Sequence, residues 1–420
     1  MKTYVFIIRR ICTISGAVQY IYNKTKYLES HGWRVLVFSS MHGPVLVKEL
    51  NKFSQYIYPS LYYSPSYYRK KVFDNTINGI IKDIGSIKDG ECIIESDALP
   101  RAVWAEIVAS HLRCRHLVFF IREKHEYNKE MKKFLLFKYN RHELAGITKL
   151  SVAQMLGDNN IESREDSHIR PYCNNVFEDC EDNYSELLDR DADYTIGSLG
   201  RLIKPCVPAI VEGIFTYVHS HPNLRFNIVM IGGAETQDKV KLVEDKIRKI
   251  LGKCSNVNLI ITGNVYPVPM SLINKIDVFV STAGAAGATY HAGLPTVTVN
   301  PLTGEPVGVI GLDFQTGEKT MYDSMKDTTI AECIDKAICY RDKIIFKGGL
   351  GEGYRTKMNA EFERQLLFVN QVTSNDYYDI KLLLQIKEKT LYGILRSCLL
   401  HLLGIKKYDL ICRYLRGRMV

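Results

Sequence analysis

The alternation of near-continuous apolar segments with amphipathic helical segments is the feature that most restricts how this chain can fold. Residues 3–8, TYVFII, are predicted to form a buried strand, residues 18–32 a helix with one apolar face, and residues 34–40 a second buried strand. Residues 91–121 repeat this order. Strands that are apolar throughout need a sheet covered by helices on both faces, so the pattern predicts an α/β fold with parallel sheets.

The same alternation resumes in the second half of the chain after an interruption. Residues 158–193 are rich in Asn and acidic side chains, which is typical of a connection between domains. Apolar strands are predicted again at 226–233 and 258–263. We therefore predict two Rossmann-like domains that face a cleft, followed by C-terminal helices. The predicted divisions are a first domain over residues 1–190, a second domain over residues 191–355 and a helical segment over residues 356–420.

The composition argues against several classes of protein. Of the 420 residues, 46% are hydrophobic and 24% are charged, as in a soluble globular protein. The apolar stretch before Arg9 and Arg10 is too brief for a signal peptide, so we expect a cytoplasmic protein. The 11 cysteines form no Cys-x-x-Cys pair, which argues against a disulfide framework or a structural zinc site.

Most of the net charge lies near the C-terminal end of the sequence. Residues 381–420 contain nine Lys or Arg and two acidic residues, a net charge of +7 out of +9 for the whole chain. The rest of the chain lacks the basic stripe of a nucleic-acid-binding protein, so no nucleic acid is expected as a partner. A helical projection from Leu384 gathers leucines on one side and basic residues on another. This amphipathic tail predicts either attachment to an anionic membrane surface or packing on the protein's own surface.

A run of small residues follows the apolar segment that ends at Val280. Residues 281–287, STAGAAG, carry almost no side chain and lead into a predicted helix. Ligands of a parallel sheet bind at the carboxyl ends of its strands, where helix N-termini attract anions. Exposed backbone N–H groups there can bind a diphosphate, although small residues also permit close packing of a helix on a sheet. The run matches neither a Walker loop nor Gly-x-Gly-x-x-Gly, which argues against an ATPase or a dehydrogenase.

Several motifs, in the same order along the chain, resemble those of GT-B glycosyltransferases, especially the family 4 type. They are SGAVQYIYNKTKYLESHGWRVLVFSS at 15–40, TIGSLGRLIKP at 195–205, NIVMIGGA at 227–234, NLIITGNV at 258–265 and IDVFVSTAGAAGATYHAGLPTV at 276–297. The resemblance covers most of residues 1–370. It implies that a nucleotide-sugar binds the second domain, that an acceptor binds the first, and that transfer takes place in the cleft.

The resemblance also implies roles for individual residues. Gly16 would lie under the sugar diphosphate, and Arg201 and Lys204 would supply cations that stabilise the leaving diphosphate without a metal or another cofactor. Gly263 and Asn264 would flank the base of the nucleotide. The phosphates would bind the run of small residues, namely Ser281, Thr282, Ala283, Gly284, Ala285 and Gly287.

The chain departs from the family 4 pattern at two positions. Cys206 stands where a lysine usually comes, five residues after the arginine of Gly-Arg-Leu, and the lysine of this chain comes at three. Ala288 stands where a glutamate usually holds the ribose hydroxyls, in a segment several residues shorter than the usual pattern. The shorter segment is closer to inverting GT-B enzymes that add N-acetylglucosamine to a lipid-linked precursor. Ribose recognition must therefore differ, and retaining or inverting stereochemistry stays open.

A catalytic base, if the reaction needs one, is expected at the carboxyl edge of the first sheet. Glu95 and Asp97 come at the end of the strand ECIIES and in its turn, and Glu123 and His125 follow the apolar segment HLVFFI. Such side chains can relay the proton of an acceptor hydroxyl. Each of them also has the residue type of an ordinary loop position.

Two further segments have alternative interpretations. Residues 56–71, YIYPSLYYSPSYYRKK, contain six tyrosines and end in Arg-Lys-Lys. They predict an acceptor loop or a membrane-facing patch, or else a tyrosine-rich loop folded on itself. Asp191 and Asp193 match a metal-binding Asp-x-Asp motif, but they follow an acidic stretch and not an apolar strand, so we expect no metal there.

Together these features predict a metal-independent glycosyltransferase, of the hexosyltransferase type, at the inner face of the plasma membrane. It would move a sugar from a nucleotide-sugar donor to a glycan or lipid-linked acceptor in the synthesis of a bacterial surface polysaccharide, such as capsule or lipopolysaccharide. Two alternatives stay open. One is a nucleotide-sugar 2-epimerase, which would need carboxylates around the sugar. The other is a catalytically degenerate scaffold that binds a partner glycosyltransferase.

Overall fold

A computed structural model of the chain contains two six-stranded sheets, each covered by helices. The structure describes residues 2–9, 11, 16–40, 52, 56–87, 92–97, 99–120, 129–147, 152–153, 156, 164–169, 177–234, 237–315, 318–346, 352–371, 376–386 and 390–417. The predicted α/β class with two Rossmann-like units is confirmed.

The first sheet has the strand order β3-β2-β1-β4-β5-β6, and all its strand pairs are parallel. Its strands are β1 Thr3–Ile8, β2 Arg34–Ser39, β3 Tyr56–Ile57, β4 Cys92–Ser96, β5 Arg115–Phe120 and β6 Leu144–Gly146. Its helices are α1 Gly16–Ser30, α2 Lys70–Ile84, α3 Leu99–Leu112 and α4 Lys129–Asn140. This is the order of a Rossmann fold, in which the strand order reverses between β1 and β4.

The second sheet repeats that arrangement with the order β10-β9-β8-β12-β13-β14, in which only β14 is antiparallel. Its strands are β8 Tyr194–Leu199, β9 Phe226–Ile231, β10 Val257–Gly263, β12 Val278–Ser281, β13 Thr296–Val299 and β14 Pro306–Val309. Its helices are α5 Val207–Ser220, α6 Gln237–Leu251, α7 Met270–Ile273, α8 Ala283–His291 and α9 Ile330–Cys339. Two short strands, β7 Phe177–Glu178 and β11 Val268–Pro269, form a separate parallel pair.

Burial on both faces explains why the strands are apolar throughout. Every residue of β1 and of β9 is buried. A strand in the middle of a sheet that helices cover on both sides has no solvent-facing positions, so it shows no alternation of polar and apolar residues. Each sheet has its own hydrophobic core, and residues of the C-terminal helices belong to the core of the first sheet.

The C-terminal helices return to the first domain. They are α10 Glu352–Asn370, α11 Ile380–Leu383 and α12 Leu391–Gly417, and α12 is kinked at Gly404, which has a φ of 72°. Phe362 of α10 packs against Tyr20 and Tyr27 of α1, with ring centroids 6.0 and 5.6 Å apart. Leu400 and Tyr408 of α12 are buried in the core of the first domain, where the ring of Tyr408 meets that of Tyr63 edge-on. The predicted divisions at residues 190 and 355 stay predictions.

None of the helices in the described ranges combines the length and the apolar character of a membrane span.

A buried ion pair lies inside the first domain. Nζ of Lys24 is 2.6 Å from Oε2 of Glu95 and donates further hydrogen bonds to the hydroxyls of Tyr4 at 2.6 Å and Tyr20 at 3.1 Å. The hydroxyl of Tyr20 donates to Oε1 of Glu95 at 2.8 Å and lies 3.0 Å from the carboxamide of Gln365 on α10. Burial lowers the pKa of Lys24, whereas the charge of Glu95 favours its ionised form. Glu95 is thus occupied inside the core and is not available as a catalytic base.

Lys24→Met would replace the buried cation and leave Glu95 without its partner. We expect the free energy of unfolding to fall by about 3–5 kcal/mol, as when one member of a buried pair is removed. Lys24→Met combined with Glu95→Gln should recover much of this loss, because no buried charge remains. The control is Lys26→Met, whose pair with Glu178 is partly exposed and is expected to contribute about 1 kcal/mol or less. Urea unfolding measures these values, and equal losses in the single and double variants would contradict the coupling.

Candidate active site

A cavity of about 300 Å³ lies between the two sheets, at their carboxyl edges. Both halves of the chain contribute to its lining, which consists of Gly16, Gln19, Leu199, Gly200, Arg201, Lys204, Ile231, Gly232, Gly233, Asn264, Val265, Val268, Ala283, Gly284 and Ala285. In the second sheet the strand order reverses between β8 and β12, and ligands of such sheets bind at that point. The cavity is therefore where the topology predicts a ligand.

Glycines after β8 and β9 allow two loops to come very close together in the cavity wall. Gly232 has a φ of 140°, and a Cβ atom there would lie 1.8 Å from the carbonyl oxygen of Gly200. A Cβ atom on Gly233 would lie 2.8 Å from the side chain of Asn264, whose Nδ2 donates to the carbonyl of Ala234 at 3.0 Å. Because side chains cannot fit here, this wall presents backbone groups to the cavity.

The first turn of α8 forms another part of the wall, with Ala283, Gly284 and Ala285 in the lining. N–H groups at a helix N-terminus have no partners within the helix and carry partial positive charge. Ala283 has a φ of 53°, a conformation that costs a non-glycine residue about 1–2 kcal/mol. The hydroxyl of Thr282, the preceding residue, is buried and has no hydrogen-bond partner in the described part of the chain. Backbone strain and an unsatisfied polar group at a cavity are typical of a ligand site.

The first domain contributes the N-terminal turn of α1. Gly16 is the first residue of this helix, and Gln19 follows one turn later with only 6% of its surface exposed. Both line the cavity. The N-termini of α1 and α8, one from each domain, therefore meet at the same cavity.

Arg201 and Lys204 are the charged side chains of the described cavity lining. Both belong to the loop that follows β8. Burial lowers the pKa of Lys204, and the neighbouring charge of Arg201 lowers it further. An anion in the cavity would offset both effects, because it favours the protonated amine. No carboxylate occurs among the lining residues that the structure describes, so the cavity is suited to an anion.

The residues predicted to bind the phosphates and the base of the nucleotide fall into two groups, those that line the cavity and those that do not. Those in the lining are Gly16, Asn264, Ala283, Gly284 and Ala285. Ser281 lies outside the lining because its hydroxyl donates to the carbonyl of Leu199 at 2.7 Å and so joins β12 to β8. Gly287 lies within α8, where a Cβ atom would have no neighbour within 4 Å. Thr282 and Gly263 are also outside the lining, and the binding roles of all these residues stay predictions.

The candidate bases lie outside the cavity lining or outside the described residues. Asp97 follows β4 at the carboxyl edge of the first sheet. Its carboxylate accepts hydrogen bonds from Nε of Arg101 at 2.9 Å and from the backbone N–H of Arg9 at 3.2 Å. Glu123 and His125 lie outside the described residues. The catalytic role of Asp97 stays a prediction.

A serine, a histidine and a glutamate are joined by hydrogen bonds near Asp97. Nε2 of His116 is 2.9 Å from Oγ of Ser96, and Nδ1 of His116 is 2.7 Å from Oε2 of Glu106. The arrangement resembles a nucleophilic triad, but all three residues are at most 1% exposed. Burial lowers the pKa of His116. A substrate cannot reach this serine, so the three residues stabilise the packing of β4, β5 and α3.

The Asp-x-Asp motif is engaged with Arg225. Oδ2 of Asp193 accepts a hydrogen bond from the backbone N–H of Arg225 at 2.8 Å, and Oδ2 of Asp191 is 3.7 Å from its guanidinium. Across the described ranges, no three His, Cys, Asp or Glu side chains form a group that could hold a metal ion.

Several lining residues were not predicted from the sequence. They include Gln19 and three glycines at positions 200, 232 and 233. The position of Gln19, one helical turn after Gly16, predicts that both residues lie on the same face of the helix. The glycines each come directly after an apolar strand, within TIGSLGRLIKP and NIVMIGGA, and this position predicts a close backbone approach.

No protein-family model matches this chain, and no curated protein matches it. Among solved structures it is similar to a glycosyltransferase from Rickettsia africae ESF-5, with 13% identity and a TM-score of 0.49 over 91% of this chain and 96% of that chain. S. aureus MnaA, in a structure with UDP, has 12% identity and a TM-score of 0.47 over 90% of this chain and 100% of that chain. The UDP-GlcNAc 2-epimerase from Neisseria meningitidis bound to UDP-GlcNAc has 13% identity and a TM-score of 0.46 over 87% of this chain and 100% of that chain.

The assignment of the fold rests on the chain's own topology, since these identities are low. Two sheets with the Rossmann strand order face one cavity, and the C-terminal helices return to the first domain. The fold is GT-B.

Gly232→Ala tests whether the cavity depends on the close approach of the two loops. The added methyl group would collide with the carbonyl of Gly200, so the loops must separate. We expect the free energy of unfolding to fall by about 1–3 kcal/mol. Gly287→Ala is the matched control, and because its methyl group has open space in a helix it should stabilise the protein by up to about 1 kcal/mol. Thermal unfolding measures both variants, and undiminished stability of Gly232→Ala would contradict this account of the wall.

Proposed function

We propose that this protein is a glycosyltransferase that moves a sugar from a nucleotide-sugar donor to a glycan or lipid-linked acceptor. The observation that carries the proposal is the cavity between the two sheets. Its described lining combines two cations and two helix N-termini without a carboxylate. A diphosphate, with its negative charges and many acceptor oxygens, matches this lining. The donor then binds mainly to the second domain, and the acceptor approaches from the first.

The same groups favour the chemical step. The nucleoside diphosphate gains negative charge as its bond to the sugar breaks. Arg201, Lys204 and the N–H groups at the start of α8 are fixed before that charge develops, so they can stabilise it without reorganisation. Because Lys204 is partly removed from water, its charge interacts more strongly with the diphosphate than an exposed lysine would. These cations supply the charge that a metal ion would otherwise supply, and we propose that transfer is metal-independent.

The proton of the acceptor hydroxyl needs a base at some stage of the transfer. We propose Asp97 for this role, with Glu123 and His125 as alternatives. Asp97 lies at the carboxyl edge of the first sheet, the edge that also carries Gly16 of the cavity. The position therefore fits a base that meets the acceptor from the first domain.

The two alternative functions predict different results. A nucleotide-sugar 2-epimerase would need carboxylates around the sugar, and the described cavity lining contains none, which favours transfer. A scaffold without catalytic activity would bind no nucleotide. Calorimetry against a panel of nucleoside diphosphates separates the scaffold from both enzymes.

Arg201→Ala should weaken the binding of UDP, or of whichever nucleoside diphosphate binds best. A charge-assisted hydrogen bond contributes about 1.5–3 kcal/mol, so we expect affinity to fall by roughly 10–100-fold. Arg225→Ala is the control, since Arg225 is an exposed arginine of the same domain whose guanidinium lies near Asp189 and Asp191. Unchanged affinity in Arg201→Ala would refute its role.

Helix α12 has apolar side chains on two sides. Leu400 and Tyr408, which are 1% and 4% exposed, hold it against the first domain. On the other side Leu391, Leu395 and Leu402 are 85%, 56% and 67% exposed. Packing on the protein's own surface therefore explains only one side of the helix. Exposed leucines in a segment rich in Lys and Arg are typical of a helix that lies on an anionic bilayer.

We propose that the exposed leucines of α12 attach the protein to the inner face of the plasma membrane. Attachment there would bring the cleft to a lipid-linked acceptor in the bilayer. A cytoplasmic enzyme with such an acceptor fits the synthesis of a bacterial surface polysaccharide, such as capsule or lipopolysaccharide.

Leu395→Ser combined with Leu402→Ser should release the full chain from vesicles that contain phosphatidylglycerol. Burial of one leucine contributes about 1.5–3 kcal/mol, so even partial insertion of two predicts a loss of tenfold or more in affinity. The matched control combines Leu187→Ser with Leu242→Ser, which are 58% and 56% exposed elsewhere on the protein. Substitutions are preferable to deletion of the tail, because deletion would remove Leu400 and Tyr408 from the core. Equal cosedimentation of both double variants would count against the attachment.

A further inference from the structure

A row of cationic and aromatic side chains in contact connects α12 with the first sheet. The guanidinium of Arg9 donates a hydrogen bond to the hydroxyl of Tyr62 at 2.8 Å and lies 5.1 Å from the centre of its ring. The ring of Tyr62 meets that of Tyr63 edge-on, with 4.7 Å between centroids. Tyr63 in turn lies 5.5 Å from the guanidinium of Arg396 on α12. We name these four residues, Arg9, Tyr62, Tyr63 and Arg396, the arginine–tyrosine row.

One end of the row lies where the topology of the first sheet predicts a ligand. Arg9 directly follows β1, and Asp97 directly follows β4. These strands are neighbours, with Ile7 opposite Ser96, and the strand order of the sheet reverses between them. Ligands of such sheets bind at this point. In the second sheet the cavity lies at the equivalent position. Arg9, at one end of the row, lies at the corresponding position of the first sheet.

Within the described ranges, no carboxylate contacts the guanidinium of Arg9. Its backbone N–H, and not its guanidinium, contacts Asp97. The carboxylate of Asp97 is paired instead with Arg101, which is 8% exposed. The partner of the Arg9 guanidinium is the neutral hydroxyl of Tyr62, and the side chain is exposed. Tyr62 thereby holds a cationic fork at the protein surface, and such a fork binds phosphate oxygens in pairs.

The other end of the row reaches the exposed apolar side of α12. The guanidinium of Arg396 lies 4.5 Å from the ring of Tyr392. Tyr392 stands beside Leu391, and both are mostly exposed. The row therefore runs from an apolar surface suited to a bilayer to a cation at the edge of the sheet. A ligand that spans this distance needs a hydrocarbon part and an anionic headgroup.

We propose that the arginine–tyrosine row binds the phosphate or diphosphate headgroup of a membrane lipid. Arg9 contacts the phosphate, while the hydrocarbon chain stays in the bilayer beside the leucines of α12. The inference rests on the proposed function in one respect: the lipid is taken to carry the acceptor sugar. Binding of the headgroup itself can be tested without any transfer reaction.

The test measures cosedimentation of the full chain with phosphatidylcholine vesicles of two kinds. One kind contains farnesyl diphosphate, and the other contains phosphatidylglycerol at the same total charge. Arg9→Gln should weaken binding to the farnesyl diphosphate vesicles by about tenfold, since one charge-assisted hydrogen bond is lost. Its binding to the phosphatidylglycerol vesicles should not change. Arg9→Lys should recover part of the loss, because it keeps the charge without the fork.

Arg69→Gln is the matched control. Arg69 is an exposed arginine of the same tyrosine-rich segment, so its replacement removes the same charge close by in the sequence. It should leave binding to both kinds of vesicle unchanged. Thermal unfolding of each variant checks that the fold is intact.

Three results would overturn the proposal. Equal binding of farnesyl diphosphate vesicles by Arg9→Gln and the unaltered protein would exclude a role for Arg9. An equal loss of binding to both kinds of vesicle would show that Arg9 only attracts negatively charged surfaces. A parallel loss of UDP affinity in Arg9→Gln would assign Arg9 to the donor site. Failure of the unaltered protein to bind any nucleotide, with Arg9-dependent binding of farnesyl diphosphate retained, would instead refute the proposed function and support the lipid site.

Discussion

The reversal of strand order in a parallel sheet is the constraint on which the rest of this structure depends. Where the order reverses, the loops after two neighbouring strands leave in opposite directions and a crevice opens between them. This chain contains the reversal twice, between β1 and β4 and between β8 and β12. The two carboxyl edges share one cavity, so loops that are distant in sequence line a common site. The residues proposed to contact the donor diphosphate and the lipid phosphate lie at these two positions, whereas the proposed membrane attachment is on α12.

The cavity wall contains backbone conformations and charges that cost folding free energy, as is typical of a ligand site. Gly232 lies so close to the carbonyl oxygen of Gly200 that it tolerates no side chain, and Ala283 adopts a backbone conformation that is rare outside glycine. Two cations stand close together, and burial lowers the pKa of one of them, Lys204. The strained backbone at Ala283 and the two neighbouring cations make the cavity less stable without a ligand than with one. A bound diphosphate would satisfy the helix N-termini and the cations together.

The C-terminal helices pack on the first domain and contribute to it in two ways. Helix α10 reaches the buried pair of Lys24 and Glu95 through Gln365, so the interior of the domain includes a residue from far along the chain. Helix α12 covers part of the core with Leu400 and Tyr408 and leaves a second apolar side exposed. Because Arg396 lies on this helix, the surface suited to a membrane is joined by direct contacts to the edge of the first sheet.

The sequence by itself determined the α/β class, the number of Rossmann-like units and most strand positions, because burial on both faces is visible as an unbroken apolar run such as Thr3–Ile8. It also indicated that Ala283, Gly284 and Ala285 follow the carboxyl end of a strand, because an apolar run that leads through small residues into a helical pattern predicts a strand, a turn and a helix. Only the tertiary structure decided that Ser281 turns away toward Leu199, that Glu95 is held by Lys24, and that Gln19 reaches the cavity. These outcomes depend on how separate elements are oriented, which local periodicity does not encode. The contact of Arg9 with Tyr62, which spans 53 positions, and that of Tyr63 with Arg396 exist only because helices and loops from different parts of the chain pack on one sheet.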